Sequence, residues 1–319
     1  MNNLPKLAIV IPCYNEEDIF NYCLTSLVGI INDLTMKELI SQESYLLFID
    51  DGSKDSTWSL IEKASTESEL VKGIKLSRNR GHQIALISGL KNSDSDITIS
   101  IDADLQDDIS VIEKMVVAYL NGNEIVYGVR NDRASDSFFK RKTAELFYGV
   151  MNFLGVQQIP NHADFRLMSS NAKESLLSFK EQNIYLRGLV PLIGFKSTSV
   201  LYSRTIRVAG ESKYPLRKMI ALAIEGITSL TVTPLRIITV MGFSISMISA
   251  IAALFAIYEK ISGNTVAGWT SVMIAIFFLG GVQMLSLGVI GEYVGKIYIE
   301  SKNRPKYFIE KTAGINNDK

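Results

Sequence analysis

Two uncharged stretches near the C-terminus constrain this chain most. No Asp, Glu, Lys or Arg lies between Arg236 and Glu259, and none between Lys260 and Glu292. Residues 237–258 would make a helix about 33 Å long, enough to cross the ~30 Å hydrocarbon core of a bilayer. Residues 259–268 read as a short loop and 269–290 as the return span. Helices of globular proteins seldom stay uncharged on every face over such a length, so two membrane spans are expected. Arg217, Lys218 and Arg236 precede the first span, and Lys296, Lys302, Arg304 and Lys306 follow the second. The loop between carries only Lys260, beside Glu259. The excess of positive charge outside the loop places both termini on the cytoplasmic side of an inner (plasma) membrane. Gly242, Ser246 and Ala250, and Gly291 and Gly295, recur at four-residue spacing. Such stripes favour close helix contact within or between chains, so a homo-oligomer is expected. Ahead of the spans, Arg217, Lys218 and an apolar remainder read as a helix lying on the membrane surface.

The rest of the chain has another character. Over the whole chain, 33 basic and 33 acidic residues leave no net charge to attract nucleic acid. The apolar run 7–13 soon meets Glu16, Glu17 and Asp18, so it does not read as a signal peptide. With Cys13 and Cys23 alone, a disulfide framework is not expected, and a reducing cytosolic location fits. Strand-like runs at 6–13, 45–49, 73–76 and 97–101 alternate with helical patterns at 18–31, 56–68 and 82–90. That alternation predicts an α/β fold with a mostly parallel sheet and ligands at the C-terminal ends of its strands.

Those ends carry the conspicuous polar residues. Asp102 and Asp104 follow the fourth run; Glu16, Asp51 and Arg78 follow the first three. If the strand stays extended, Asp102 and Asp104 point to one side. Two converging carboxylates repel unless a cation sits between them, and hard oxygen ligands suit Mg²⁺ or Mn²⁺. The set predicts a nucleotide pocket. No Gly-x-Gly-x-x-Gly or Walker-type loop follows the first run, which argues against a dinucleotide or P-loop enzyme.

Six motifs then carry a resemblance: Ile-Pro-Cys-Tyr-Asn-Glu-Glu from Ile11, Asp-Asp-Gly-Ser-Lys-Asp-Ser-Thr from Asp50, Asp-Ala-Asp-Leu-Gln-Asp from Asp102, Asp-Phe-Arg-Leu-Met-Ser from Asp164, Arg-Val-Ala-Gly-Glu-Ser-Lys-Tyr from Arg207 and Gly-Glu-Tyr-Val-Gly-Lys-Ile-Tyr from Gly291. The chain resembles family-2 inverting glycosyltransferases of the GT-A (Rossmann-like) fold, in the polyprenyl-phosphate branch that includes bactoprenol glucosyltransferases and dolichyl-phosphate mannose synthases. The resemblance implies that Pro12, Tyr14, Glu16 and Asp51 line the nucleoside site. Asp102, Asp104 and Gln106 would hold the metal and the sugar-nucleotide diphosphate, with Arg130 and Arg207 on phosphates, beside Arg78, which the strand-end pattern by itself already offers to a phosphate. It makes Asp164, with Asp104, the catalytic candidate. Lys140, Arg141, Lys142, Arg204 and Lys213 are candidates for gripping the acceptor phosphate. Where the family often has Lys after an Arg-Asn-x-Gly, this chain has His82, whose role the resemblance leaves open.

The expected organisation is a cytoplasmic catalytic domain over 1–212, a juxtamembrane amphipathic helix over 213–234, two transmembrane helices over 235–292 and a cytoplasmic tail over 293–319. The expected reaction moves a hexose from a nucleotide sugar onto undecaprenyl phosphate, with UDP-glucose the first choice of donor. UDP-N-acetylglucosamine, GDP-mannose and an aminoarabinose nucleotide are alternatives. A processive polysaccharide synthase is disfavoured, since Trp58 and Trp269 are the only tryptophans and neither sits in the Gln-x-x-Arg-Trp such enzymes carry. A non-catalytic membrane scaffold is the alternative of another class.

Overall fold

A computed structural model of the chain describes residues 4–131, 149, 162–182, 184–203, 231–262 and 268–315. It divides into two units. The first takes in Met1–Gly149, Gln157–Pro215 and Arg304–Lys319; the second takes in Val150–Val156 and Leu216–Asn303.

At the centre of the first unit is β1 (Leu7–Cys13), every residue of which is buried. Strands β2 (Tyr45–Asp50), β3 (Val71–Leu76) and β4 (Ile97–Ser100) extend a parallel sheet on both sides of it. Continuous apolar runs suit this position because both faces are covered. Leu7, Ile9 and Ile11 join a core with Phe20, Cys23, Leu27, Ile31 and Leu34 of α1 (Phe20–Met36). That three- and four-residue spacing puts one stripe of α1 on the sheet. Helices α2 (Thr57–Glu67) and α4 (Ile112–Leu120), with the 3-10 turn Ile109–Val111 before α4, add Trp58, Ile61, Val111, Ile112, Met115 and Val116 to the same core. The alternate residue Val10 faces α3 (His82–Asn92), whose Gly89 lies against Val10 and Ile49.

The sheet has eight strands in the order β7-β5-β6-β4-β1-β2-β3-β8. Strand β5 (Ile125–Arg130) does not pair with β4. Strand β6 (His162–Ser169) inserts between them, antiparallel to both. Ser169 then caps α5 (Ser170–Ser178) by accepting from the Ala172 amide at 3.0 Å. Helix α6 (Leu186–Leu192) leads to β7 (Ser197–Tyr202), parallel to β5. Strand β8 (Ile309–Ala313) closes the far edge, antiparallel to β3. The segment 293–319, expected as a tail, therefore contributes a sheet strand. Cys13 and Cys23 are free thiols buried in the core.

The second unit's described part is two helices, α7 (Thr233–Ile261) and α8 (Trp269–Ser301). Both are long and apolar enough to cross a membrane, and the apolar windows are 0% and 6% buried. They are not core helices of a globule. Helix α8 runs past the expected end of the span, through Glu292, Lys296 and Glu300. A cleft of about 500 Å³ between the helices is lined by Gly242, Ser246, Gln283, Ser286, Leu287 and Ile290. A methyl group added at Gly242, Gly291 or Gly295 would meet nothing within 4 Å, so among the described residues these glycines mark no tight helix contact.

Candidate active site

The two loops after β1 and β2 are stitched together by the motif residues themselves. The amides of Asn15, Glu16 and Glu17 donate to Ser53 Oγ (2.9 Å), Thr57 Oγ1 (2.9 Å) and Asp55 Oδ2 (3.2 Å). In return, the amides of Lys54 and Ser56 donate to Asn15 Oδ1 and Glu17 Oε2, both at 2.9 Å. Asn15 takes φ 55°, a left-handed conformation that asparagine tolerates. Much of both motifs is thus consumed in shaping loops. Pro12 is buried, whereas Tyr14 stays 40% exposed.

Asp51 is 3% exposed. Its two oxygens accept the amides of Arg80 (2.7 Å) and Gly81 (2.8 Å) from the loop after β3. Burial pushes its carboxyl up from the ordinary value, against the pull of those two amides. Gly52, at φ 69°, lets that loop lie directly on it: a Cβ here would stand 2.6 Å from the Arg78 carbonyl carbon. The Arg78 side chain is exposed.

The Asp-x-Asp segment departs from the extended geometry expected of it. β4 ends at Ser100, and the Leu105 amide donates to the Asp102 carbonyl at 3.2 Å, closing a turn. Leu105 takes φ 43°, a strained choice for a branched side chain of the kind that gathers at functional sites. The two carboxylates therefore do not share one strand face. Asp104 accepts the Gln106 amide at 3.3 Å, and the Gln106 side chain turns inward, 4% exposed.

Asp102 looks instead toward β6. β4 and β6 pair Ser100 with Arg166, and continuing that antiparallel register by two residues sets Asp102 opposite Asp164. His82, at the start of α3, stands between them: its Nε2 is 3.5 Å from Asp102 Oδ1 and 3.7 Å from Asp164 Oδ2. Loss of water pushes the Asp102 carboxyl up to about 6; His82 opposes this, and the carboxylates of Asp164, Asp107 and Asp104 add to it. Its side chain nevertheless keeps 45% of its surface, so the crowding of negative charge leaves one open face.

Asp164 is held differently. Arg166 Nη2 contacts its Oδ1 at 2.6 Å and Arg187 Nη2 its Oδ2 at 3.2 Å. Burial alone would raise its pKa, but Arg187, Arg166 and His82 outweigh that and hold it well below the usual carboxylate range. Arg166 is 1% exposed, while Arg187 is 45% exposed. Arg187 carries no sequence signal: its partner lies 23 residues away, and no local spacing joins them. A third group adjoins. Tyr202 Oη donates to Asp107 Oδ1 at 2.6 Å, Arg130 Nε donates to Tyr202 Oη at 3.2 Å, and Arg130 Nη2 reaches Asp107 Oδ1 at 3.2 Å. Tyr202 and Asp107 thus fix Arg130; Asp107 closes the Asp-Ala-Asp-Leu-Gln-Asp motif, whereas Tyr202 lies outside every motif.

Lys140, Arg141, Lys142, Arg204, Arg207 and Lys213 lie outside the described residues. Among the described residues, no three His, Cys, Asp or Glu side chains gather into a ready-made metal cage. Mg²⁺ and Mn²⁺ sites that serve phosphates need less, commonly one or two carboxylates with the phosphates completing the shell. Asp102, with 45% of its side chain open and the Asp104 carboxylate within electrostatic reach, fits that kind of ion.

Known proteins bear on this arrangement. Residues 8–176 match the model of glycosyl transferase family 2. An uncharacterized glycosyltransferase of Bacillus subtilis, YkoT, is 52% identical over 96% of this chain and 91% of its own length. An SfII prophage-derived bactoprenol glucosyl transferase of Shigella flexneri is 40% identical over 96% of this chain and 98% of its own. Among solved structures, the mannosyltransferase PcManGT from Pyrobaculum calidifontis, in complex with GDP-Man and Mn²⁺, is 17% identical with a TM-score of 0.47, covering 94% of this chain and 87% of that one. By its family match and by relatives that share nearly its full length, the chain belongs to glycosyl transferase family 2 and is a glycosyltransferase.

Proposed function

We propose that the enzyme moves a hexose from a nucleotide sugar onto a polyprenyl phosphate at the cytoplasmic face of a membrane, with inversion at the anomeric carbon. Glucose from UDP-glucose is the first donor to test, because the full-length Shigella relative is named a bactoprenol glucosyl transferase. An acceptor with a long isoprenoid tail stays in the bilayer, which suits a chain whose α7 and α8 expose so much apolar surface.

The observation that carries this reading is the grouping of His82, Asp102, Asp164 and Arg187 at one end of the sheet. Pro12, Tyr14, Glu16 and Asp51 shape the donor side. Asp102, with Asp104 and Gln106, would hold a divalent ion, which when bound supplies positive charge for the departing diphosphate. Arg130, locked by Tyr202 and Asp107, adds a fixed cation for the same charge. The acceptor phosphate needs little help from a base, since the second pKa of such groups is roughly 6. Its oxygen attacks the anomeric carbon as the bond to the β-phosphate oxygen breaks, and the nucleoside diphosphate leaves. Asp164 would not take a proton, because its arginine partners keep it ionised. It instead aims Arg187, whose exposed guanidinium is suited to the incoming phosphate.

The test is direct. Purified protein in detergent receives undecaprenyl phosphate, Mn²⁺ or Mg²⁺, and one labelled donor at a time: UDP-glucose, UDP-N-acetylglucosamine, GDP-mannose or an aminoarabinose nucleotide. Label from UDP-glucose should enter the lipid extract and cease to do so with a chelator. Absence of lipid product with every donor would overturn the reading.

A further inference from the structure

The segment that follows α8 is more than an edge strand. It is tied at several points to the loop that holds Asp51. Strand β8 runs along β3, pairing Gly73 with Ala313, Ile74 with Thr312, Lys75 with Lys311 and Leu76 with Ile309. Beyond β3 the contact continues: the Ser77 amide donates to the Phe308 carbonyl at 3.0 Å. Next, the Arg80 side chain reaches across. Its Nε donates to the Lys306 carbonyl at 2.6 Å and its Nη2 approaches the Pro305 carbonyl at 3.5 Å. On the α3 side, Asn92 Nδ2 donates to Tyr307 Oη at 3.3 Å. At the other end Gly314, at φ 66°, lies so close to Val71 that a Cβ would stand 2.7 Å from its carbonyl oxygen.

Arg80 is therefore held from two directions. Its main-chain amide, with that of Gly81, grips Asp51. Its side chain grips the main chain of residues 305 and 306. A guanidinium on a carbonyl is a charge-assisted bond, and it fixes the residue whose amide it shares a backbone with. We infer that residues 305–309 are a built-in positioning element of the donor site, acting through Arg80 on Asp51. Without that anchor the Ser77–Gly81 loop keeps its sequence but loses the support that aims its two amides. The inference rests on the proposed donor side being where Asp51 stands, and it deepens that reading by naming what positions it.

The experiment uses full-length protein in detergent and two independent readouts. The first is affinity for UDP and for GDP, each with Mn²⁺, measured by calorimetry. Arg80→Ala should weaken binding of whichever nucleotide the wild type takes by about tenfold, the size expected for losing a charge-assisted anchor. At saturating donor its kcat should stay within about twofold of wild type, and Arg80→Lys, which keeps a cationic donor, should recover part of the affinity. Glu310→Ala breaks the 3.4 Å Lys75–Glu310 pair on the same strand edge without touching Asp51, and should leave affinity unchanged. Combining Arg80→Ala with Asp51→Asn should cost less than the two single losses together, since both act on one contact. The second readout is hydrogen exchange at the Arg80 and Gly81 amides, which should speed up in Arg80→Ala. If the wild type binds neither nucleotide, the functional reading fails, and exchange still decides on the anchor. Unchanged exchange in Arg80→Ala, or unchanged nucleotide affinity where the wild type binds, overturns the inference, as do fully additive losses.

Discussion

Asp164 is the residue whose chemistry the fold alters most. A carboxylate near the acceptor invites the role of general base, yet Arg166 at 2.6 Å and Arg187 at 3.2 Å depress its pKa. A base works best with a pKa near the working pH, and this group lies far below it. Three consequences can be measured on Asp164→Asn. Turnover should fall by at least about tenfold, from a misaimed Arg187. Between pH 5 and 8 the kcat profile of wild type should contain no limb that the variant lacks; finding one would restore Asp164 as a base. Stability should drop by about 3 kcal/mol near neutrality, because Arg166, 1% exposed, is left without its counter-charge. The sign of the pH dependence follows from the depressed value. The ionised carboxyl stabilises the fold fully above its unfolded pKa of about 3.9, and that contribution is lost as pH falls toward its lower folded value. Wild type should therefore weaken more than Asp164→Asn as the pH is taken below 4, as followed by chemical unfolding.

At the scale of elements, the strands and helices of the parallel half are legible as local runs, while their packing rests on close fits between residues far apart in sequence. Gly89 of α3 is the tightest of these. A methyl group there would overlap Val10 Cγ1 and stand 3.0 Å from Ile49 Cγ1. Alanine gains about 1 kcal/mol in helix propensity over glycine, but overpacking costs about 1–3 kcal/mol. Gly89→Ala should thus unfold at lower urea, followed by the fluorescence of Trp58, which is 8% exposed in the core; an unchanged midpoint would mean that α3 can lift off the sheet without cost. Among the elements that local pattern misses are β6 and β8. Strand β8 reads Ile-Glu-Lys-Thr-Ala, with three of its residues exposed, so it has no apolar alternation to announce it. Strand β6 contains an arginine, Arg166, that ends fully buried. Its place between β4 and β5 depends on partners more than 30 positions away, and a residue does not reveal from its neighbours in sequence which strand it will meet.

For the whole molecule, the separation into a sheet unit and a helical unit follows the charge map of the chain. Helices α7 and α8 present Val240, Phe243, Ile248 and Leu254 to the outside at 65%, 68%, 66% and 69% exposure, and a bilayer is the solvent that tolerates this. Ile248→Arg puts a charge in the middle of the first apolar helix, where insertion costs about 2.5–3.5 kcal/mol. The variant should leave the alkali-resistant membrane fraction in large part, while wild type stays in it. Full retention of the variant would count against α7 as a span.

What the sequence determined by itself were the features that depend on neighbours along the chain: the runs that become β1 to β4, the helices between them, the two long apolar helices, and the clustering of polar motifs at strand ends. Hydrophobic periodicity and charge-free length are local, and so is the physics that reads them. Only the tertiary structure decided which side chains meet. It set Asp102 beside His82 and opposite Asp164, spent both oxygens of Asp164 on arginines, and brought the C-terminal strand back to the Asp51 loop. Those contacts are set by strand register and loop closure across tens to hundreds of residues, where packing of the complete sheet, and no local preference, selects the partner.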